Sequence, residues 1–343
     1  MCRTGKQKLL ASGCDKVVIM HTDGYPVVYG EKIIDDKRPT VLVYGHYDVQ
    51  PPGPVEEWNS QPFEPIISNG KVYARGVADD KGQFYMHVKA LEILNKTNSL
   101  ITNIKFLIEG EEEISSPNLN SFIKANKKLL NADIVLISDR EMINKDTPSL
   151  ETGFRGISLL ELEITGVNRD LHSGSYGGAI ANPIAVLAKM IASLYDENNH
   201  ITVPGFYDDV LTATTAEERQ SLSIVPFDED SYRNNLGIKK LFGEKGYTTH
   251  ERIGIRPTIE LNGIWGGYSG ERVKTVIPAK AGTKISARLV PDQSSGDITE
   301  KLSNYFKLIT PDSIELKIKS YSGSEPYLIT PGSPGYKAAA QSH

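Results

Sequence analysis

The sequence predicts an α/β fold with a mainly parallel sheet. Apolar strand segments alternate with helical segments between residues 41 and 138, the order expected of an open parallel sheet. Histidine or acidic residues come directly after three of these strand segments. Because ligands bind beyond the carboxyl ends of the strands in such sheets, these two observations predict a site at that edge.

The first strand is predicted from the β-favouring residues 41–44, which end at Gly45. In extended chain His46 and Asp48 point to the same side. The carboxylate can then hold one imidazole nitrogen while the other nitrogen binds a metal. A histidine and an aspartate in a surface turn are the alternative for this pair alone.

The second acidic segment precedes a predicted helix, whose residues Phe84, Val88 and Leu91 fall at helical spacing. The adjacent carboxylates of Asp79 and Asp80 repel each other unless a cation neutralises at least one of them. The alternative is a solvated acidic cap at the positive end of the helix dipole.

Two further strands end in acidic residues. Strand 104–108 leads into the run 109–113, after which Ser116 and Pro117 predict a helix cap and a first helical position. Strand 132–138 leads into Asp139. Charge runs are commonly solvated faces, but the repeated placement at strand ends favours a shared site.

These motifs resemble the M20 metallopeptidases, within them the dipeptidase branch related to carnosinase. The resemblance covers nearly the whole chain. It is carried by Gly45-His46-Tyr47-Asp48-Val49-Gln50-Pro51, Arg75-Gly76, Asp79-Asp80-Lys81-Gly82, Glu109-Gly110-Glu111-Glu112-Glu113, Ser138-Asp139 and Asp170-Leu171-His172-Ser173-Gly174.

The resemblance implies a catalytic domain that holds two divalent metal ions, zinc first, with manganese or cobalt as alternatives. It implies a cis peptide bond between Asp79 and Asp80. The implied roles are Asp79 as the bridging ligand, His46 and Asp139 as ligands to opposite metals, Glu113 as a further ligand, Glu112 as general base and Asp48 as the residue that orients His46.

The chemistry agrees with these roles. Two metals lower the pKa of bound water from about 15.7 towards roughly 7, and they hold both the nucleophile and the carbonyl oxygen. Glu112 can take the water proton and then pass it to the leaving amine.

Three residues further along the chain are candidate substrate contacts. His172 lies in the glycine-rich loop 170–178, where a surface histidine is the alternative. The resemblance implies that His172 donates to the tetrahedral oxyanion, in dimeric members from the partner subunit. It also matches Thr275 and Arg288 to the part that grips the free carboxylate of the substrate. An outward-facing strand charge is the alternative for Arg288.

A change of pattern after Asp139 predicts a second unit, and the resemblance implies three parts: an incomplete catalytic domain (1–153), a lid and dimerisation domain (154–328), and a truncated return to the catalytic domain (329–343). Within the second part, strands and two helices, one of them announced by Asn182-Pro183, predict an α+β unit with its helices on one sheet. By the resemblance this domain is an insertion that mediates a homodimer.

Two departures from the family pattern favour a fragment truncated at both ends. The chain stops at His343, before the expected Gly-Gly-Ser-Ile-Pro-like loop and last histidine ligand, so His343 is not assigned a role. The first helix is short, since hairpin strands 16–20 and 26–29 follow almost at once. A substrate-contacting histidine expected near Ser322 is also absent from the sequence.

Composition excludes other classes. A net charge of -5 without a basic stretch argues against nucleic acid or an anionic membrane surface as partner. No apolar run approaches the roughly 20 residues of a membrane span. The two cysteines, Cys2 and Cys14, lie away from the proposed ligands and fit a reducing, cytoplasmic location.

The motifs indicate a metal-dependent hydrolase, and the resemblance implies a zinc dipeptidase that cleaves short peptides with a free carboxyl terminus. The nearest alternative is an N-acyl-amino-acid deacylase of the same family. Another is a catalytically dead dimeric binding homologue, against which the intact Glu112 and Asp48 argue.

Overall fold

A computed structural model describes residues 2–144, 146–210, 216–329 and 332–341, without the side chains of residues 216–218. The chain divides into two compact units, Met1–Ser149 and Leu150–His343, close to the boundary predicted after residue 153. The proposed return of residues 329–343 to the catalytic domain stays a prediction, and His343 lies outside the described residues.

The first unit has a central five-stranded sheet in the spatial order β1-β2-β6-β3-β7 and a separate β4-β5 hairpin. β3 runs parallel to β6 and β7, whereas the predicted N-terminal hairpin joins antiparallel through β2. The strands are β1 (Lys16–Met20), β2 (Val27–Lys32), β3 (Thr40–His46), β4 (Ile66–Ser68), β5 (Lys71–Tyr73), β6 (Asn103–Glu109) and β7 (Ile134–Ile137).

The helices of the first unit are α1 (Cys2–Ala11), α2 (Gly82–Lys96), α3 (Leu119–Ala125) and α4 (Lys127–Leu130). The predicted helix after Gly82 is confirmed, and it buries Val88 and Leu91. A π-helical turn, Val77–Lys81, leads directly into it. Short 3-10 turns cover Val55–Glu57 and Glu112–Ile114.

The predicted helix start at Ser116 and Pro117 is wrong, because α3 begins at Leu119. Ser116 has a positive φ of 46°, outside the helical region. Its hydroxyl instead donates to Glu109 Oε1 over 2.8 Å. A contact with Glu109 at the end of β6 therefore uses the side chain that the sequence assigns to a cap.

Both faces of the central sheet are covered by helices. On one face, Val43 and Phe106 pack with Leu9 of α1 and Leu91 of α2. On the other face, the neighbouring residues Leu42 and Leu107 pack against Phe122 of α3 and Leu130 of α4. This alternation of β3 and β6 side chains fixes the carboxyl ends of the parallel strands, where the candidate site lies.

The second unit contains a four-stranded antiparallel sheet in the order β11-β13-β9-β14. Two short pairs, β10 with β12 and β8 with β15, complete its strands in the described ranges. The strands are β8 (Gly153–Phe154), β9 (Gly156–Thr165), β10 (Leu171–His172), β11 (Thr258–Gly266), β12 (Val276–Ile277), β13 (Lys280–Leu289), β14 (Glu315–Ser324) and β15 (Tyr327–Leu328).

Helices pack on one face of this sheet, as the sequence predicts. Leu160 and Leu162 of β9 are buried with Met190 of α6 and Phe306 of α10. Asn182 caps α6 by accepting from the backbone N–H of Ile184 over 3.0 Å. The helices are α5 (Ser173–Tyr176), α6 (Pro183–Ala192), α7 (Ala216–Ser223), α8 (Glu229–Leu236), α9 (Thr249–Gly254), α10 (Ser295–Ile309) and α11 (Pro334–Gln341). Among the residues described, no helix is both long and apolar enough to span a bilayer.

Candidate metal centre

Three of the predicted ligands converge at the carboxyl edge of the first unit's sheet. His46 Nε2 lies 3.0 Å from Asp79 Oδ1 and 3.6 Å from Asp139 Oδ2. One ligand atom from each of the three side chains lies within 4.8 Å of the others. His46 ends β3, Asp79 lies in the turn before α2, and Asp139 follows β7. The prediction that these three side chains converge is confirmed.

The imidazole of His46 is fully buried and presents its two nitrogens to different carboxylates. Nε2 faces Asp79 and Asp139, while Nδ1 lies 3.3 Å from Asp48 Oδ1. The contact with Asp48 is an ion-pair distance without hydrogen-bond geometry. Asp48 therefore stands on the side of His46 expected of an orienting carboxylate.

The two adjacent aspartates lie in different environments. The peptide bond between them is cis, as the family resemblance implies. The Asp79 side chain is 60% exposed and faces the centre, whereas Asp80 is buried and accepts the backbone N–H of His46 over 3.2 Å. No separate role for Asp80 was predicted from the sequence, although the adjacent acidic residues Asp79 and Asp80 marked this turn as unusual.

Gly45 allows this close approach of β3 to the acidic turn. A Cβ at position 45 would lie 2.5 Å from Phe84 Cβ and 2.8 Å from Asp80 Oδ2. Both distances are shorter than normal van der Waals contact. The glycine before His46 is therefore required by packing.

Burial and repulsion between neighbouring carboxylates both raise the pKa of acidic side chains at this site. Burial raises the pKa of Asp80 to about 6, despite the hydrogen bond from His46. Burial likewise raises the pKa of Asp139 and of Glu112, with neighbouring carboxylates adding to it and His46 opposing it. Burial lowers the pKa of His46, but Asp139, Glu112 and other nearby carboxylates outweigh this effect and the net shift is upward.

The donor set fits divalent metal ions. An imidazole nitrogen and carboxylate oxygens are ligands used by zinc, manganese and cobalt. The clustered negative charge also favours a bound cation over bare carboxylates. The buried Asp80 Oδ1 makes no hydrogen bond within the described part of the chain, which leaves a further acceptor beside the centre.

Glu112 and Glu113 are placed differently from one another. Glu112 is half-buried and interacts electrostatically with His46 and Asp139. Glu113, the fourth predicted ligand, is not part of the three-residue group. Its backbone N–H donates to Asp48 Oδ2 over 3.0 Å, and Gln50 holds its carboxylate. The role of Glu113 as a ligand stays a prediction.

Lys81 was not assigned a role from the sequence, yet it lies among the acidic residues. Its ammonium group is buried and makes no hydrogen bond to any described residue. Burial lowers the pKa of Lys81, against the opposing effect of Asp48 and Asp79. A cavity of about 730 Å³ opens beside it, lined also by Asp48, Gln50 and Glu113.

The remaining candidates belong to the second unit. The predicted loop 170–178 contains β10 and the single-turn helix α5, with His172 as the helix N-cap. His172 Nδ1 accepts the backbone N–H of Gly174 over 2.8 Å. The backbone N–H of Ser173 donates to the carbonyl of Thr275 over 3.1 Å, which brings the His172 and Thr275 segments together.

Arg288 lies on β13, between Thr258 of β11 and Ile157 of β9 in the strand register. Its side chain is exposed, while its neighbours Ala287 and Leu289 are fully buried. The structure thus places Arg288 on the outward face, and its predicted contact with substrate stays a prediction.

The chain is similar to known peptidases. Residues 42–343 match the family model described as Peptidase family M20/M25/M40. It is 32% identical to the human Beta-Ala-His dipeptidase over 289 residues, which are 82% of this chain and 56% of that protein. It is also 32% identical to the Cys-Gly metallodipeptidase DUG1 of Candida albicans, over 92% of this chain and 67% of that protein.

A solved structure supports the same relationship. The M20 family metallo-carboxypeptidase Sso-CP2 from Sulfolobus solfataricus superimposes with a TM-score of 0.86 at 33% identity, covering 99% of this chain and 77% of that chain. The chain spans little more than half the length of the first curated relatives, 56% of the human and 58% of the rat dipeptidase.

Proposed function

Because the chain belongs to peptidase family M20/M25/M40, we propose that it hydrolyses the peptide bond of dipeptides or short peptides with a free carboxyl terminus. The observation that carries the proposal is the convergence of His46, Asp79 and Asp139 on one metal-sized centre. The names of the human and Candida albicans relatives, both dipeptidases, favour dipeptides over N-acyl amino acids as substrates.

We propose that two divalent metal ions, zinc in the first place, occupy the centre. His46, Asp79, Asp139 and Glu113 would hold them, with Asp79 between the two. When bound, such ions lower the pKa of water and polarise a carbonyl oxygen. Asp48 would keep the imidazole of His46 in the orientation and tautomer that metal binding needs.

Glu112 is the proposed general base. Its carboxylate takes a proton from the attacking water as the water oxygen bonds to the peptide carbonyl carbon. The C–N bond then breaks, and Glu112 gives the same proton to the leaving amine nitrogen. The raised pKa of Glu112, caused first by burial, suits a group that must both accept and donate a proton.

His172 is the proposed donor to the oxyanion. Since Nδ1 accepts from Gly174, the neutral imidazole carries its proton on Nε2. A fixed Nε2–H donor is the form that stabilises developing negative charge on oxygen. Thr275 and Arg288 are proposed to bind the free carboxylate of the substrate, for which the Arg guanidinium offers two parallel N–H donors.

We further propose that the protein acts as a homodimer assembled through residues 154–328, with His172 supplied to the partner subunit's centre, and that it acts in the cytoplasm. The proposed partners are small peptides and a second copy of the chain. Sedimentation of the wild-type protein over a range of concentrations tests whether it dimerises. Mixing the His172→Gln and Glu112→Gln variants and measuring activity tests whether two chains share a site. If each dimer site needs His172 of one chain and Glu112 of the other, the mixture recovers activity that neither variant has alone.

A substrate panel tests the proposed reaction. The zinc-loaded protein should release amino acids from unmodified dipeptides, and a chelator should abolish the release until zinc, manganese or cobalt is restored. Matched N-acetyl amino acids should turn over at least tenfold more slowly. Turnover of the acylated amino acids alone would assign the protein to the deacylases. Zinc binding without turnover of either class would indicate a binding protein.

A further inference from the structure

Gln50 contacts Glu113 through both its backbone and its side chain. Its backbone N–H donates to Glu113 Oε1 over 3.0 Å. Its side-chain amide donates to Glu113 Oε2 over 2.7 Å and to the carbonyl of Glu113 over 3.2 Å. Both carboxylate oxygens of Glu113 are therefore bonded to one residue.

The same glutamate is anchored at its backbone. Its N–H donates to Asp48 Oδ2 over 3.0 Å, and Asp48 Oδ1 lies 3.3 Å from His46 Nδ1. The main chain of Glu113 is thus tied to the residue that flanks the buried histidine. With its main chain held in this way, Glu113 can reorient only its side chain, either towards Gln50 or towards the metal centre.

While its carboxylate is bonded to Gln50, Glu113 lies outside the group formed by His46, Asp79 and Asp139. A ligand role for Glu113 needs its carboxylate to turn towards that group. Gln50 and Glu113 both line a cavity of about 730 Å³, so the side chain of Glu113 is not closely packed on that side. Gln50 is exposed, so water can satisfy its amide once Glu113 has left.

We propose that Gln50 is a positioning residue that competes with the metal for the carboxylate of Glu113, and that it thereby makes the metal site that includes Glu113 the weaker of the two. This inference rests on the proposed function, because the ligand role of Glu113 is part of that proposal. A supporting neighbour that merely oriented Glu113 towards the metal would act in the opposite direction, since losing such a neighbour weakens metal binding.

Zinc affinity of the purified protein, measured by competition with a chromophoric chelator, tests the proposal. Gln50→Met keeps the length of the side chain and removes its N–H donors. We expect the weaker zinc site to tighten by about tenfold, the scale of one hydrogen bond to a charged group. The matched control is Gln61→Met, the same change at another exposed glutamine, which should leave both zinc affinities unchanged.

A double-mutant comparison assigns the effect to the pair. In a Glu113→Gln background, Gln50→Met should no longer change zinc affinity, because the competing carboxylate is gone. Unchanged or weaker zinc binding by Gln50→Met, with the unfolding midpoint of the metal-free protein retained, would overturn the inference. Gln50→Ala serves as a second variant with the same expected direction.

The outcomes also separate this inference from the proposed function. A wild-type protein that binds no zinc overturns the metal centre and the inference together. A wild-type protein that binds zinc through Asp79, but whose weaker site does not tighten on Gln50→Met, overturns the role of Gln50 alone.

Discussion

The backbone N–H of His46 donates to Asp80 Oδ2 over 3.2 Å, which joins the end of β3 to the acidic turn before α2. The neighbouring carboxylate of Asp79 faces His46 Nε2 instead. The two adjacent acids thus divide two tasks between them: Asp80 fixes the main chain of the histidine, and Asp79 presents oxygen to the centre. Each can be tested separately.

Asp80 should make the stability of the metal-free protein depend on pH. Its pKa is raised to about 6, mainly by burial, whereas an aspartate in an unfolded chain titrates near 3.9. Between these values the folded state binds more protons than the unfolded state. The contribution of Asp80 to the free energy of unfolding therefore falls as pH rises from about 4 to about 6.

Asp80→Asn should remove this contribution. Relative to wild type, the free energy of unfolding of the metal-free variant should rise across that window by up to about 3 kcal/mol. Urea unfolding at a series of pH values measures the difference. The control is Asp36→Asn at an exposed position, for which the difference in unfolding free energy from wild type should not vary with pH. If the free energies of unfolding of wild type and Asp80→Asn differed by the same amount at every pH, the proposed effect of burial on Asp80 would be wrong.

Gly45→Ala should destabilise the first unit. The new Cβ would lie 2.5 Å from Phe84 Cβ and 2.8 Å from Asp80 Oδ2, so β3 or α2 must shift. Overpacking of this kind costs about 1–3 kcal/mol. Gly5→Ala in α1 is the matched control, since its Cβ would meet only Val28 Cγ2, at 4.0 Å. That control should stabilise the protein by about 0.5–1 kcal/mol, as alanine does in a helix. Equal unfolding midpoints for the two variants would refute the packing argument.

Features set by local sequence patterns could be predicted, and those set by one specific hydrogen-bond partner could not. The helix that begins after Asn182 and the helix that begins at Gly82 follow from nearby residues, and the structure confirms both. Strand ends were enough to bring His46 and Asp139 together, because parallel strands place their carboxyl ends at one edge. Asp79 joins them from the turn before α2, where the adjacent acidic residues were the signal.

The orientations of two side chains could not be predicted from the sequence pattern. Glu113 is held by Gln50, 63 residues away in the sequence, and Ser116 bonds to Glu109 instead of capping a helix. In both cases a specific partner decides the orientation of the side chain, and the sequence pattern carries no signal of which partner is within reach.

Asp79→Asn should separate metal binding from folding. A neutral amide is a poor bridge between two cations, so zinc affinity should fall by more than about a hundredfold, beyond the loss typical of an outer-shell residue. Because the Asp79 side chain is 60% exposed, the unfolding midpoint of the metal-free protein should stay within a few degrees of wild type. Zinc per chain after dialysis is the measurement, with Asp36→Asn as control. Full zinc content in Asp79→Asn would exclude it as the bridging ligand.

Glu112→Gln should separate catalysis from metal binding. The amide keeps the shape of the side chain but cannot accept the proton of the attacking water. Since Glu112 is not a proposed ligand, zinc per chain should match wild type. Activity on dipeptides should fall by at least about a hundredfold, the usual scale of general acid–base catalysis. The exposed Glu57→Gln is the matched control and should keep both zinc and activity.

Measuring zinc content beside turnover gives each result of the Glu112→Gln experiment one meaning. Normal turnover with zinc bound would exclude Glu112 as the general base. Loss of zinc would mean that Glu112 is a ligand, and Glu113 would then have to act as the base. That exchange has a structural cost, because the carboxylate of Glu113 would first have to leave both donors of Gln50. Retained zinc with lost turnover is the result expected from the position of Glu112, whose pKa is raised by burial and by Asp139 against the opposing effect of His46.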